Sequence, residues 1–291
     1  MTVPARPTPL FAGQPRPPAR GRGGGGAEAP PPAGAVFPPA GLEKPLLVEG
    51  PAGVGKTELA RAVAQATGSG LVRLQCYEGV DEARALYEWN HAKQILRIQA
   101  GSGDWEATKT DVFSEEFLLQ RPLLTAIRRT EPTVLLIDET DKADIEIEGL
   151  LLEVLSDFAV TVPELGTLTA TRAPFVLLTS NATRELSEAL KRRCLYLHID
   201  FPTPELERRI LLSRVPELPE HFAEELVRII GVLRGMQLKK VPSIAETIDW
   251  GRTVLALGLD TIDDAVVAAT LGVVLKHQSD QQRATGELRL N

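Results

Sequence analysis

Gly50-Pro51-Ala52-Gly53-Val54-Gly55-Lys56-Thr57 satisfies the pattern G-x-x-x-x-G-K-[ST] in full. Each element of that pattern has a physical task. The glycines let the backbone wrap closely round a phosphate with its N–H groups turned inward. Lys56 can reach β- and γ-phosphate oxygens, and Thr57 can offer its hydroxyl to Mg²⁺. The flanks suit this work. Pro45-Leu46-Leu47-Val48-Glu49 reads as a short buried strand, and Thr57 to Ala64 carries helical apolar spacing, so a helix N-terminus adds its dipole to the anion site. The candidate cofactor-binding residues are Gly50, Pro51, Ala52, Gly53, Val54, Gly55, Lys56, Thr57 and Glu58.

The rest of the composition is that of an ordinary globular chain. Of 291 residues, 43% are apolar and 24% charged. No apolar run approaches a membrane span; the longest, Ala265 to Leu275, reads as core. Cys76 and Cys194 match no metal or redox spacing and read as buried, reduced thiols. The four histidines show no ligand spacing. Residues 1–44 carry five basic and two acidic side chains, so the remaining body is more acidic than the −7 of the whole chain. Such a body argues against nonspecific nucleic-acid binding, which rests on phosphate neutralisation by Lys and Arg.

Residues 1–41 are rich in Pro, Gly and Ala, including Gly23-Gly24-Gly25-Gly26 and Pro30-Pro31-Pro32. That composition predicts a disordered tail, without the apolar stretch of a secretory signal, and the expected location is cytoplasmic. From Leu46 onward short apolar runs alternate with amphipathic helices, which predicts a parallel sheet with helices on both faces. The expected strands are Pro45–Glu49, Leu71–Gln75, Val134–Asp138, Phe175–Thr179 and Leu195–Ile199. Five strands with a phosphate loop after the first fit the P-loop NTPase plan. Between the second and third, Asp81–Gln99 and Phe113–Arg129 read as helices, with Gly101–Asp104 as a loop. After Phe201-Pro202-Thr203-Pro204 only helical periods remain. The expected division is a core over 42–202 and a small all-helical domain over 203–291.

Three further motifs carry chemistry. Val134-Leu135-Leu136-Ile137 is followed by Asp138 and Glu139, so a buried strand delivers two acids to the carboxyl end of the sheet, where α/β ligands bind. Asp138 is suited to hold Mg²⁺ through the ion's water shell, together with the Thr57 hydroxyl, and Glu139 to orient and deprotonate an attacking water. The apolar strand Phe175-Val176-Leu177-Leu178-Thr179-Ser180 ends at Asn181, which can stand between the two motifs and hydrogen-bond the water or the γ-phosphate. Arg192 and Arg193, before the fifth strand, read by themselves as a solvated basic helix end, and beside the other motifs as arginines that can reach the γ-phosphate of a neighbouring subunit. Asp141, two residues beyond Glu139, reads as a solvated or helix-capping acid.

This order of phosphate loop, apolar strand ending in Asp-Glu, strand ending in Asn, helix-end arginines and helical lid resembles an AAA+ ATPase. The stretches Lys44–Gly50, Phe113–Leu119, Leu151–Asp157, Val162–Thr167 and Pro242–Trp250 resemble the MoxR branch, and together its CoxD-like subgroup, associated with carbon monoxide dehydrogenase maturation. The resemblance implies ATP and Mg²⁺ as cofactors and a homo-oligomeric ring, usually a hexamer, with ATP between subunits. Arg193 is then the finger, with Arg192 the second choice. It implies a von Willebrand factor A domain partner and a chaperone-like ATPase that remodels or matures a protein or metalloenzyme client. It places a hairpin at Val160–Pro163 and Thr169–Arg172. Many AAA+ lids supply an Arg near the position of Val241-Pro242-Ser243-Ile244; here Lys239, Lys240 and Arg252 are the nearby cations. Against this reading stand an ATP-binding assembly scaffold with little hydrolysis and a DNA-dependent AAA+ motor. Use of GTP also stays open, because a phosphate loop does not read the base.

Overall fold

The computed structural model describes residues 44–100, 111–259 and 261–288. The tail expected over 1–41 and the loop expected over Gly101–Asp104 lie outside these residues. The described chain groups into two compact units. One holds the residues through Glu49 together with Lys56–His198; the other holds Gly50–Gly55 and the chain from Ile199 onward.

The first unit is built on a five-stranded, wholly parallel sheet in the order β2-β5-β8-β1-β9. Its strands are β1 (Leu46–Glu49), β2 (Gly70–Gln75), β5 (Thr133–Asp138), β8 (Phe175–Ser180) and β9 (Leu195–His198). All five fall within a residue of the segments expected from the apolar runs. The inner strands β1, β5 and β8 are covered on both faces and cannot alternate apolar and polar residues, which is why they read as continuous runs, whereas the edge strands β2 and β9 are partly exposed. All six residues of β5 are buried. Helices α1 (Lys56–Thr67), α4 (Pro122–Arg128), α5 (Ile145–Asp157) and α6 (Glu188–Arg193) flank the sheet, and Leu123, Leu124, Ile127, Leu151, Val154 and Leu190 enter its core.

The segment between β2 and β5 departs from expectation. Instead of one helix over Asp81–Gln99 there is a single turn, α2 (Glu82–Ala85), then β3 (Tyr87–Trp89) and α3 (His91–Ala100). Asp81 caps the first helix by accepting from the Arg84 N–H at 2.9 Å, and Asn90 caps the second by accepting from the Lys93 N–H at 3.0 Å. Phe113–Arg129 is not one helix either. It divides into a 3₁₀ turn at Glu115–Phe117, strand β4 (Leu118–Gln120) and α4, with Pro122 at the head of α4, where its missing N–H costs no hydrogen bond. β3 and β4 pair antiparallel, Trp89 opposite Leu118, so the apolar residues that mimic a helical period belong to a small ribbon. The hairpin expected at 160–172 is present as β6 (Ala159–Val162) and β7 (Gly166–Thr169).

In the second unit, the described residues from Ile199 onward hold helices α7 (Pro204–Arg214), α8 (Glu220–Gly235), α9 (Ile244–Ala256), α10 (Asp264–Thr270) and α11 (Gln278–Glu287). Trp250 is fully buried among Leu226, Ile230 and Val254, and its indole N–H donates to Thr270 Oγ1 at 2.8 Å. Arg234 forks onto Glu207 at 2.5 and 2.8 Å, and Thr247 Oγ1 donates to the same carboxylate at 2.8 Å. A buried ion pair is tolerated when its remaining hydrogen-bonding capacity is met in this way. From the apolar run Ala265–Leu275, Val267, Leu271, Val274 and Leu275 point into this core.

Candidate nucleotide site

The loop Gly50–Gly55 leaves β1 and delivers the chain to the first turn of α1. Gly53 (φ +74°) and Gly55 (φ +101°) hold backbone conformations that L side chains rarely adopt. A Cβ on Gly53 would stand 2.4 Å from Ser243 Oγ, and one on Gly50 would stand 1.9 Å from the Ile199 carbonyl oxygen. The loop pattern is thus a steric requirement of this fold as well as a match. Within the loop Val54 is buried and Ala52 exposed, while Glu58 pairs with Arg61 at 2.8 Å on the exposed side of α1.

Lys56 and Thr57 open α1 and meet the carboxyl ends of β5 and β8. Lys56 is only 6% exposed, and its Nζ donates to Asn181 Oδ1 at 2.8 Å. Burial lowers the Lys56 pKa, against the opposing pull of Asp141, Asp138, Glu139 and Glu49. Thr57 Oγ1 lies 3.0 and 3.2 Å from the two Asp138 carboxylate oxygens. Asp138 itself is buried, and its Oδ1 accepts from Thr179 Oγ1 at 2.6 Å. The same Thr179 hydroxyl accepts the Glu139 N–H at 2.9 Å, so one side chain of β8 steadies both acids. Glu139 sits at φ +56°, an uncommon conformation for a residue with a side chain; such strain persists where neighbours over-determine it. Its Oε2 accepts from Gln75 Nε2 at 3.0 Å and Lys142 Nζ at 2.7 Å.

Asp141 is not a solvated acid. It is buried, and it accepts from the Asn181 N–H at 3.1 Å, the Thr183 N–H at 3.0 Å and Thr183 Oγ1 at 2.5 Å. Burial alone would raise its pKa; the Thr183 hydroxyl and the two backbone N–H groups outweigh that and hold it below the ordinary carboxylate range. Nor does it cap a helix. It ties down the turn that follows Asn181, where Ala182 stands at φ +55°.

Arg193, in the last turn of α6, is exposed; its Nε donates to Ser156 Oγ at 3.0 Å and its Nη1 to the Ala189 carbonyl at 3.3 Å. None of its hydrogen bonds goes to the Lys56–Asp138–Asn181 group, and Arg192 beside it is exposed. The thiols differ from expectation in one respect. Cys76 is buried but Cys194 only half-buried; desolvation pushes both up to about 12, the acids at 138, 141 and 139 adding to the effect at Cys76.

Sequence reasoning missed Arg73, Gln75 and Thr179. Arg73 Nη2 and Nε donate to Asp138 Oδ2 at 2.6 and 3.1 Å. The available signal was the pair Arg73-x-Gln75, two polar residues of one parity at the end of an otherwise apolar strand.

The donor set fits a nucleotide with a hard divalent cation: an ammonium, a hydroxyl and a carboxylate beside a glycine loop that opens a helix. Fold and site together define a P-loop nucleotide-binding domain with a cation-holding pair, the plan of the AAA+ ATPases. Residues 45–194, more than half of the chain, match the family described as AAA domain (dynein-related subfamily), and the chain belongs to that family.

Among curated relatives, Chaperone protein ClpB 1 of Synechocystis sp. is 27% identical over 237 residues, which are 77% of this chain and 23% of that protein. Chaperone protein ClpB of Chlamydia pneumoniae is 23% identical over 229 residues, 73% of this chain and 24% of that one. Chaperone protein ClpB 2 of Thermosynechococcus vestitus is 33% identical over 144 residues, 48% and 14% of the two chains. The chain thus spans about a quarter or less of the length of these relatives. Among solved structures, a Thermotoga maritima RuvB mutant has a TM-score of 0.47 at 16% identity, covering 85% of this chain and 64% of that one.

Proposed function

We propose that this protein hydrolyses ATP with Mg²⁺ and uses the turnover to remodel or mature a protein client, as a MoxR-type ring ATPase of the CoxD-like kind. The observation that carries the reading is that two consecutive residues opening α1 reach the ends of two neighbouring strands, Lys56 bonded to Asn181 and Thr57 to Asp138, with Glu139 next to Asp138. In this reading Gly50–Glu58 bind the nucleotide, and Thr57 and Asp138 hold the cation. When bound, the cation neutralises phosphate charge. Glu139 takes the proton of the attacking water, Asn181 positions that water or the γ-phosphate, and Arg193, or Arg192 in its place, serves the neighbouring subunit.

The chaperone names of the ClpB relatives support remodelling in general. The MoxR-like stretches support a hexameric ring, a metalloenzyme client, a von Willebrand factor A domain partner and a cytoplasmic setting. The helices from 203 onward act as the lid of the AAA+ plan, and residues 42–202 as its core. No helix of the described residues is long and apolar enough to cross a membrane.

The test is the steady-state ATPase rate against protein concentration, with Arg193→Ala alongside. A specific rate that rises as subunits associate, and that collapses in the variant while ATP still binds, is the expected result. A flat, negligible rate with ATP bound would replace this reading by the assembly scaffold.

A further inference from the structure

Asp138 has no idle oxygen. Its Oδ1 accepts from Thr179 at 2.6 Å and Thr57 at 3.0 Å. Its Oδ2 accepts from Arg73 Nη2 at 2.6 Å and Nε at 3.1 Å, and lies 3.2 Å from Thr57. A carboxylate offers about four lone-pair sites, and here donors already reach them. A cation that is to bind Asp138 therefore has to dislodge one of these donors.

The donors are not equal in that respect. Thr179 is buried, and its hydroxyl also accepts the Glu139 N–H, so moving it would orphan a backbone donor. The Thr57 hydroxyl can turn its lone pairs outward without leaving its place. Arg73 differs from both. It carries a full positive charge, its side chain is 45% exposed, and it stands on the edge strand β2, in parallel register with β5. A guanidinium beside an arriving divalent cation is repelled, and this one can swing into water, where it is solvated at little cost. Its other hydrogen bond runs to Gln75 on the same strand, so its departure breaks no contact of the core.

We propose that Arg73 is a resident counter-cation of Asp138, which a divalent ion displaces, so that Arg73 sets the cation affinity of the site. It neutralises a buried carboxylate when no metal is held there and withdraws when one is. Its position on β2 makes it a positioning residue acting through Asp138. The inference rests on the reading of Asp138 and Thr57 as the metal-holding pair.

The experiment is a titration of the full chain, in the presence of ADP, with Mn²⁺ as the probe, the free ion being read by electron paramagnetic resonance. Arg73→Gln and Arg73→Met, both neutral and the second keeping the apolar stem, are expected to tighten Mn²⁺ binding by about tenfold, the low end of a lost charge-assisted hydrogen bond between a half-exposed cation and a buried carboxylate. Arg73→Lys, which keeps the charge, is expected to stay near the parent. Unchanged or weaker binding in both neutral variants overturns the inference and makes Arg73 an orienting partner of the carboxylate. Asp138→Asn separates the two levels. Parent-like Mn²⁺ binding there overturns the metal reading and this inference with it. Loss of binding there, with no tightening in the Arg73 variants, overturns the inference alone.

Discussion

The Lys56 ammonium stands 2.8 Å from the Asn181 amide oxygen, although 125 residues separate them in the chain. One belongs to the first turn of α1 and the other follows β8, and β8 lies beside β1 in the sheet. A γ-phosphate drawn to the ammonium would therefore meet the amide as well. Lys56→Ala is expected to weaken ATP binding, whereas Asn181→Ala is expected to leave ATP bound and lower kcat by about 10²-fold, the scale of one lost transition-state donor. Fluorescent-nucleotide titration with single-turnover hydrolysis separates the two. Equal losses of binding in both variants would assign Asn181 to the ground state.

Glu139 is held by Gln75 and Lys142 and by its own strained backbone. Glu139→Gln keeps the shape and removes the base, so kcat should fall by about 10²- to 10⁴-fold with ATP affinity retained. A variant that turns over at the parent rate would remove the base role from this residue.

Asp141 predicts an acid limb in stability. Its carboxyl is held below its ordinary value in the folded chain, so its contribution is fully present above the unfolded-state pKa, near 3.8, and is lost as pH falls through the lower folded value. Asp141→Asn should destabilise the chain by about 1–3 kcal/mol at neutral pH, because the N–H groups of Asn181 and Thr183 then share a poorer acceptor. The gap between variant and parent should narrow below pH 4. Urea midpoints measured at pH 7 and in steps below pH 4 check both statements; a constant gap across that range would contradict the second.

Gly53 is constrained twice, by its positive φ and by Ser243 within 2.4 Å of any added Cβ. Gly53→Ala is expected to cost about 1–2 kcal/mol from the backbone alone, and more from the clash. Thermal unfolding reads the cost, and a nucleotide titration reads whether the displaced loop still binds. Gly149 faces open space within α5, so Gly149→Ala is the control expected to be neutral or mildly stabilising.

Much of the fold was legible in the chain because its physics is local. Short apolar runs ending at polar residues announce the parallel strands, most plainly β5 and β8, each with four apolar residues in a row and covered on both faces. The phosphate loop announces itself because only glycine meets its backbone and steric demands. The acids that end β5 and the amide after β8 follow from where those strands stop. The segment from Asp81 to Arg129 was not legible in the same way. Its apolar spacing serves a helix or a short ribbon equally well, and the choice falls to the pairing of Trp89 with Leu118, a contact between residues far apart in sequence. Asp141 shows the same limit: an acid among acids reads as solvated until Asn181 and Thr183 fold back over it. Arg73 and Gln75 reach the two acids of β5 only through the β2–β5 register. The sequence by itself determined the parallel strands, the phosphate loop and the acids and amide at the ends of β5 and β8, because propensity, burial pattern and loop stereochemistry act within a few residues. Only the tertiary structure decided which charges neutralise one another, because that depends on strand order and register, which no stretch of chain contains alone.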